Sequence, residues 1–162
     1  MRHAKSDWGN EYLKDIDRPL SERGYQDAYL MSQWYGKTRP HPDLVITSAA
    51  SRAMNTAFIF LRGMNLNTGM LQVHDNIYES AAASILGVVK EQSKGADRVM
   101  IFGHNPGFTD LANQLSGEMY FENVPTCGIV SFTFEVKRWT AVQFKTGKLN
   151  YFQFPKDFKN IH

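Results

Sequence analysis

Residues 98–107 read RVMIFGHNPG. The run Arg98-Val99-Met100-Ile101-Phe102 is the clearest central strand in the chain, an apolar stretch closed by a glycine. Just beyond it, Pro106 suits the first position of a helix, where a missing N–H would go unpaired in any case. The stretch therefore predicts a strand, a short GHN turn and a helix. In open α/β folds, ligands bind outside the carboxyl ends of such strands.

Working outward, the same alternation repeats. Residues 7–20 are polar and irregular and read as a loop, and Ser21 then caps a helix carrying Ala28, Met31 and Tyr35 on one face and ending near Gly36. After Pro40 and Pro42, Leu44-Val45-Ile46-Thr47 is a short buried strand, and Ala53, Ala57, Phe60 and Leu61 form the stripe of a second helix. Leu71-Gln72-Val73 predicts another strand, followed by a helix from about Ser80 to Ser93. From Gly128 onward the pattern turns strand-like, with strands predicted at 129–134, 142–144 and 149–152. Alternating strands and helices with an antiparallel finish predict a three-layer α/β/α sandwich with a mostly parallel central sheet, one domain spanning residues 1–162.

Composition narrows the function classes. The 162 residues are 43% apolar and 21% charged, ordinary globular usage that argues against disorder. The longest apolar stretch, Ala57 to Leu61, is far short of the roughly 20 residues a membrane span needs. No basic-then-apolar leader is visible, and Cys127 stands alone, so no internal disulfide framework is expected and a reducing cytoplasm is. A net charge of +2 gives no reason to expect a nucleic-acid partner, and the lysines near the C-terminus read as solvated surface. The aromatic residues Tyr151, Phe152, Phe154 and Phe158 are expected to cover the core. No CxxC, HExxH, GxGxxG or Walker pattern occurs, so no metal or cofactor is expected.

Three places put polar residues at predicted strand ends: Arg2-His3, the stretch Thr47 to Arg52, and Gly103 to Gly107. Together they supply two arginines and two histidines. Arginine presents a planar fork of donors matched to phosphate oxygens, charged at any working pH. A neutral imidazole can attack phosphorus through one nitrogen if an acceptor holds the other, and a second imidazole can stabilise the equatorial oxygens. Helix N-termini after Thr47 and Gly103 would add backbone donors. Such a pocket needs no metal. Each element alone is weak, since a lone histidine after a strand is more often structural and an arginine on a helix is usually a surface charge; only the combination is informative.

RHAKS at 2–6, RPLSERG at 18–24, TSAASRAMNTA at 47–57 and FGHNPG at 102–107 occur in the order seen in the histidine phosphatase superfamily, which includes the cofactor-dependent phosphoglycerate mutases. The short length and the Ala after His3 resemble its SixA-type phosphohistidine phosphatase branch, over roughly residues 2–135. The resemblance implies a phosphoglycerate mutase-like fold in which His3 is a transiently phosphorylated nucleophile. It also implies that Arg2 and Arg52 hold phosphate oxygens, that His104 stabilises the transition state, and that Gly24 and Ala28 pack the first helix. Mutase-like members read Arg-His-Gly-x-Ser-x-Trp-Asn, with the Asn touching phosphate; here Ser6 and Trp8 match, Gly9 fills the Asn slot, and the adjacent Asn10 becomes the candidate for that contact.

Family members also place a short apolar strand before the Arg-His pair, and that first strand is missing from the sequence given. The expectation is that the biological chain begins several residues upstream. The alternative is that the strand has been lost, leaving a gap in the sheet and a mobile His3.

Leaving-group chemistry bears on the substrate. Expelling an alkoxide demands a proton donor, whereas imidazole, with a pKa of about 6.5 when free, leaves far more easily. Glu79, in NIYES after the third predicted strand, is where mutase-like relatives carry an acid; otherwise it is a helix-start carboxylate complementing the dipole. The short connection from Asp75 to Ser80 lacks a cap insertion and fits a shallow site that admits a phosphohistidine displayed on another protein. Three readings result: a metal-free phosphohistidine phosphatase, a phosphatase for small phosphate esters using Glu79, and a non-catalytic phosphate-binding or protein-interaction module.

Overall fold

The computed structural model describes residues 1–159. Strand β1 (Leu44–Ser48) lies at the centre of a parallel sheet, flanked by β2 (Leu71–His74) and β3 (Val99–Phe102) in the order β2-β1-β3. Its registers run Val45 opposite Leu71 and Leu44 opposite Val99, so all three carboxyl ends emerge on one side. The crossovers are helical: α2 (Ser51–Gly63) from β1 to β2 and α3 (Ala82–Gln92) from β2 to β3. Helix α1 (Glu22–Thr38) precedes the sheet and α4 (Gly107–Leu115) follows it.

The period of two along β1 explains the layering. Val45 packs with Met31 and Ala28 of α1, Phe60 of α2, and Phe102, all buried. Its neighbour Ile46 points the other way, onto Ile85 of α3 and Phe108 and Leu111 of α4. Two buried clusters, one per face, make the sandwich. Helix α1 starts where the Ser21 hydroxyl accepts from Gly24 N at 3.1 Å, as expected of a cap. Gly24 allows a close approach: a Cβ there would sit 2.0 Å from the Lys5 carbonyl oxygen. Gly36 does the same where α1 crosses α2, with Gly63 O 2.5 Å from the missing Cβ.

The chain closes with an antiparallel hairpin of β4 (Ile129–Thr133) and β5 (Lys148–Gln153), then the one-turn helix α5 (Lys156–Lys159). The predicted strand at 142–144 is corrected. A 3-10 turn occupies Trp139–Ala141, and Val142 alone of the three is buried, as an anchor. The N–H groups that follow are used on the end of α4, Lys145 N to Gln114 O at 2.7 Å and Gly147 N to Leu115 O at 2.8 Å, so no ladder forms. The aromatic cover forms as expected, with Tyr151 and Phe158 against Trp34 and Phe152 against Phe121.

At the start of the chain, residues 1–3 lie between β3 and the entry to β4. Met1 N donates to Ile101 O at 2.8 Å, Gly103 N to Met1 O at 3.1 Å, and His3 N to Gly103 O at 2.9 Å. On the other side Arg2 N donates to Gly128 O at 3.1 Å and Cys127 N to His3 O at 3.0 Å. The alternative of a sheet gap with a mobile His3 is therefore corrected. In place of a full first strand, this short run is paired on both sides, and His3 is buried. No described helix is long and apolar enough to cross a membrane.

Candidate active site

The carboxyl ends of the central strands open into a cleft of 830 Å³ lined by Arg2, His3, Arg52, Glu79 and His104, with Lys5, Asp15, Arg18 and Tyr78 at its walls. His3 reaches it from the short N-terminal run, Arg52 from the first turn of α2, and His104 from the turn after β3.

His3 is held in one tautomer. Its Nδ1 lies 2.6 Å from the Ala4 carbonyl oxygen, which can only accept, and its Nε2 lies 3.4 Å from Arg52 Nε, which can only donate. The ring proton therefore sits on Nδ1, and Nε2 keeps its lone pair. Burial, opposed by the Ala4 hydrogen bond and reinforced by the charges of Arg52, Arg2 and Arg18, pushes its pKa down to about 4. His3 is thus neutral near pH 7.

The second imidazole sits close by, with ring centroids of His3 and His104 5.0 Å apart. Burial, and then the neighbouring His3 and Arg52, push His104 down to about 3. It too is neutral, a donor and not a cation. Its Nε2 pairs with Ser48 Oγ, which also accepts from Ala50 N at 3.2 Å. The Ser48 hydroxyl can donate to Nε2, which places the His104 proton on Nδ1, an atom buried without a hydrogen-bond partner among the described residues.

The guanidinium of Arg52 is fixed by Asp15, Nη1 donating to the Asp15 carbonyl oxygen at 2.6 Å and Nη2 to Oδ2 at 2.9 Å. Asp15 Oδ1 accepts from Arg18 Nη1 at 2.9 Å, and Oδ2 from the Tyr78 hydroxyl at 2.6 Å. The Tyr78 hydrogen bond, followed by Arg52, holds the Asp15 carboxyl down at about 2; the same bond pushes Tyr78 up to about 12. Arg18 also donates to Ser6 Oγ at 2.6 Å and stacks beneath the Trp8 ring. Arg2 donates from Nη1 to Val124 O at 3.0 Å.

Two expectations need revision. Asn10 does not line the cleft: it is exposed, and its Oδ1 accepts from Tyr12 N at 3.1 Å, a local Asx turn that uses the side chain in its own loop. Glu79 lines the cleft but is not a helix-start carboxylate, because α3 begins only at Ala82 with Ala81 as its N-cap. Glu79 instead adopts a left-handed backbone conformation, φ 50°. Sequence reasoning missed Asp15, Tyr78 and Ser48. Asp15 lies in an aperiodic loop 37 positions before Arg52, and its one local signal is a carboxylate placed just before Arg18. Ser48 lies in the 47–57 stretch that also carries Arg52, and nothing local signals its contact with His104.

A neutral imidazole nitrogen with a free lone pair, two guanidinium groups and a second buried imidazole in one cleft can capture a tetrahedral oxyanion and attack it. The sequence profile of the histidine phosphatase superfamily (branch 1) matches residues 1–118. An uncharacterized protein of Mycobacterium tuberculosis is 28% identical over 141 residues, covering 80% of this chain and 84% of its own. Two solved SixA structures share the fold. One, from Agrobacterium tumefaciens, has a TM-score of 0.78 at 23% identity, covering 94% of each chain. The other, complexed with tungstate, has a TM-score of 0.83 at 20% identity, covering 98% of this chain and 97% of that one. The fold, the cleft at the strand ends and the matched profile agree: this chain is a histidine-type phosphatase and belongs to the histidine phosphatase superfamily.

Proposed function

We propose that this enzyme hydrolyses phosphohistidine carried on another protein, through a phosphohistidine formed transiently on His3. The observation that carries the reading is the fixed tautomer of His3. Ala4 O accepts the hydrogen bond from Nδ1–H, and Nε2 is left as an unprotonated nucleophile beside Arg52.

The chemistry balances without a metal. His3 Nε2 attacks phosphorus, and the substrate's P–N bond breaks. A substrate imidazole protonated on its other nitrogen leaves as neutral imidazole, so no protein acid is required. Water then attacks phosphorus, the bond to Nε2 breaks, the water proton goes to solvent or phosphate, and His3 regains its lone pair. Arg2 and Arg52 hold the non-bridging oxygens, and His104 donates from Nδ1 to charge developing there. The tungstate complex of a protein sharing this fold supports an oxyanion site. The connection from β2 to α3 contains only a 3-10 turn at Asp75–Ile77 and no cap insertion, which favours a substrate presented by a protein.

A second reading, hydrolysis of small phosphate esters, is favoured by one observation: Glu79 does line the cleft, where it could protonate an alkoxide. Two arginines and two imidazoles gathered in one cleft favour either phosphatase over a non-catalytic module.

A substrate panel of phosphohistidine protein, a sugar phosphate and an aryl phosphate separates the readings. Preferential release of phosphate from phosphohistidine, abolished in His3→Ala, is expected. Turnover that persists in His3→Ala, or that is confined to the sugar phosphate, would refute the proposal.

A further inference from the structure

The side chain of Asn105 uses its whole hydrogen-bonding capacity in one place. Its Nδ2 donates to Val124 O at 3.1 Å and to Asn123 Oδ1 at 2.9 Å. Its Oδ1 accepts from Thr109 N at 3.2 Å and from Thr109 Oγ1 at 2.9 Å. Thr109 Oγ1 accepts in turn from Val124 N at 3.0 Å, closing a ring between the start of α4 and residue 124. The orientation of the amide follows from chemistry. Thr109 N is one of the donors that a first helical turn leaves unpaired, so the amide oxygen must face it and the NH2 must face Val124.

The Val124 carbonyl in this ring is also the acceptor of Arg2 Nη1, at 3.0 Å. Residues 117–128 contain no helix or strand, so no backbone ladder holds that oxygen in place. A guanidinium on a flexible stem takes its direction from such an acceptor. The ring therefore links the turn bearing His104 to the direction in which Arg2 points.

We propose that Asn105 is a positioning residue for phosphoryl binding, acting through the Val124 carbonyl on the guanidinium of Arg2. The inference rests on the function proposed above only in taking the cleft to bind a tetrahedral oxyanion.

Tungstate affinity, measured by calorimetry in a double-mutant cycle, tests it. Asn105→Ala should weaken tungstate binding roughly tenfold with Arg2 in place, the scale of one hydrogen bond to a charged group. In Arg2→Lys, which keeps a charge but loses the directed fork, the same change should cost about twofold or less. Thr109→Ser keeps the hydroxyl and should bind as wild type, while Thr109→Val should behave like Asn105→Ala; this pair carries the test if Asn105→Ala does not fold. Equal losses from Asn105→Ala in both Arg2 backgrounds, or no loss, would overturn the positioning role and leave the proposed function standing. A wild-type protein that binds no tungstate would remove both.

Discussion

Replacing His3 with glutamine should blunt the response of this protein to acid. In the folded state burial holds His3 at about 4, whereas an unfolded chain returns it to about 6.5. Between these values the unfolded state binds a proton that the folded state declines. Stability is therefore present in full above about 6.5 and is lost as the pH falls toward 4. One pH unit is worth about 1.36 kcal/mol per proton, so the fall from pH 6.5 to 4.5 removes about 2–3 kcal/mol through His3 alone. With 7% of its surface exposed, His3 loses little of this to solvent screening. His104, held at about 3 by burial and then by its His3 neighbour, titrates in both proteins, so the difference reads His3 together with its coupling to His104. The assay is urea unfolding of wild type and His3→Gln at pH 6.5 and 4.5, in buffer free of oxyanions. The wild type should lose about 2–3 kcal/mol more than the variant across that interval. Equal losses would refute the buried neutral imidazole and, with it, a free lone pair on His3 Nε2 across this pH range. The same protonation should place the acid limb of wild-type kcat/KM near pH 4 and not near 6.5.

Ser48→Ala leaves His104 Nε2 and Ala50 N without their partner, and should lower stability by about 1–3 kcal/mol and turnover by roughly tenfold or more, read by urea unfolding and steady-state kinetics. Unchanged kinetics would mean that the Ser48 contact does not set the His104 tautomer. Glu79→Gln should leave phosphohistidine cleavage nearly unchanged and cripple any ester hydrolysis, because only the ester needs an acid. Equal losses on the two substrates would undo the leaving-group argument. Dialysis against EDTA should leave phosphatase activity intact, and strong inhibition by the chelator would count against the metal-free steps written above.

Most strands and helices were legible in the sequence because each is written locally, with ends a residue or two out: Pro106 is the N-cap of α4 and not its first residue, and α3 begins at Ala82 and not at Ser80. The run from Val99 to Phe102, the glycine after it and Pro106 together specify a strand, a turn and a helix without help from the rest of the chain. Arg2, His3, Arg52 and His104 could be picked out because the ends of parallel strands deliver residues to one edge, and all four do line one cleft. Asn10 misled because adjacency to a motif says nothing about direction; a local bond to Tyr12 N turned it aside. The stretch 142–144 misled because Val142 N closes a 3-10 turn on Trp139 O, and the N–H groups just beyond it, of Lys145 and Gly147, go to the last carbonyls of α4 and not to a strand. The pairing of Met1 with Ile101 spans 100 positions, and the hold of Asp15 on Arg52 spans 37. No periodicity records such contacts, since they depend on how distant segments pack. So the residue types and their order came from the sequence, whereas the tautomer of His3, the anchoring of Arg52 and the neutrality of both imidazoles were decided by burial and by partners that only the folded chain brings together.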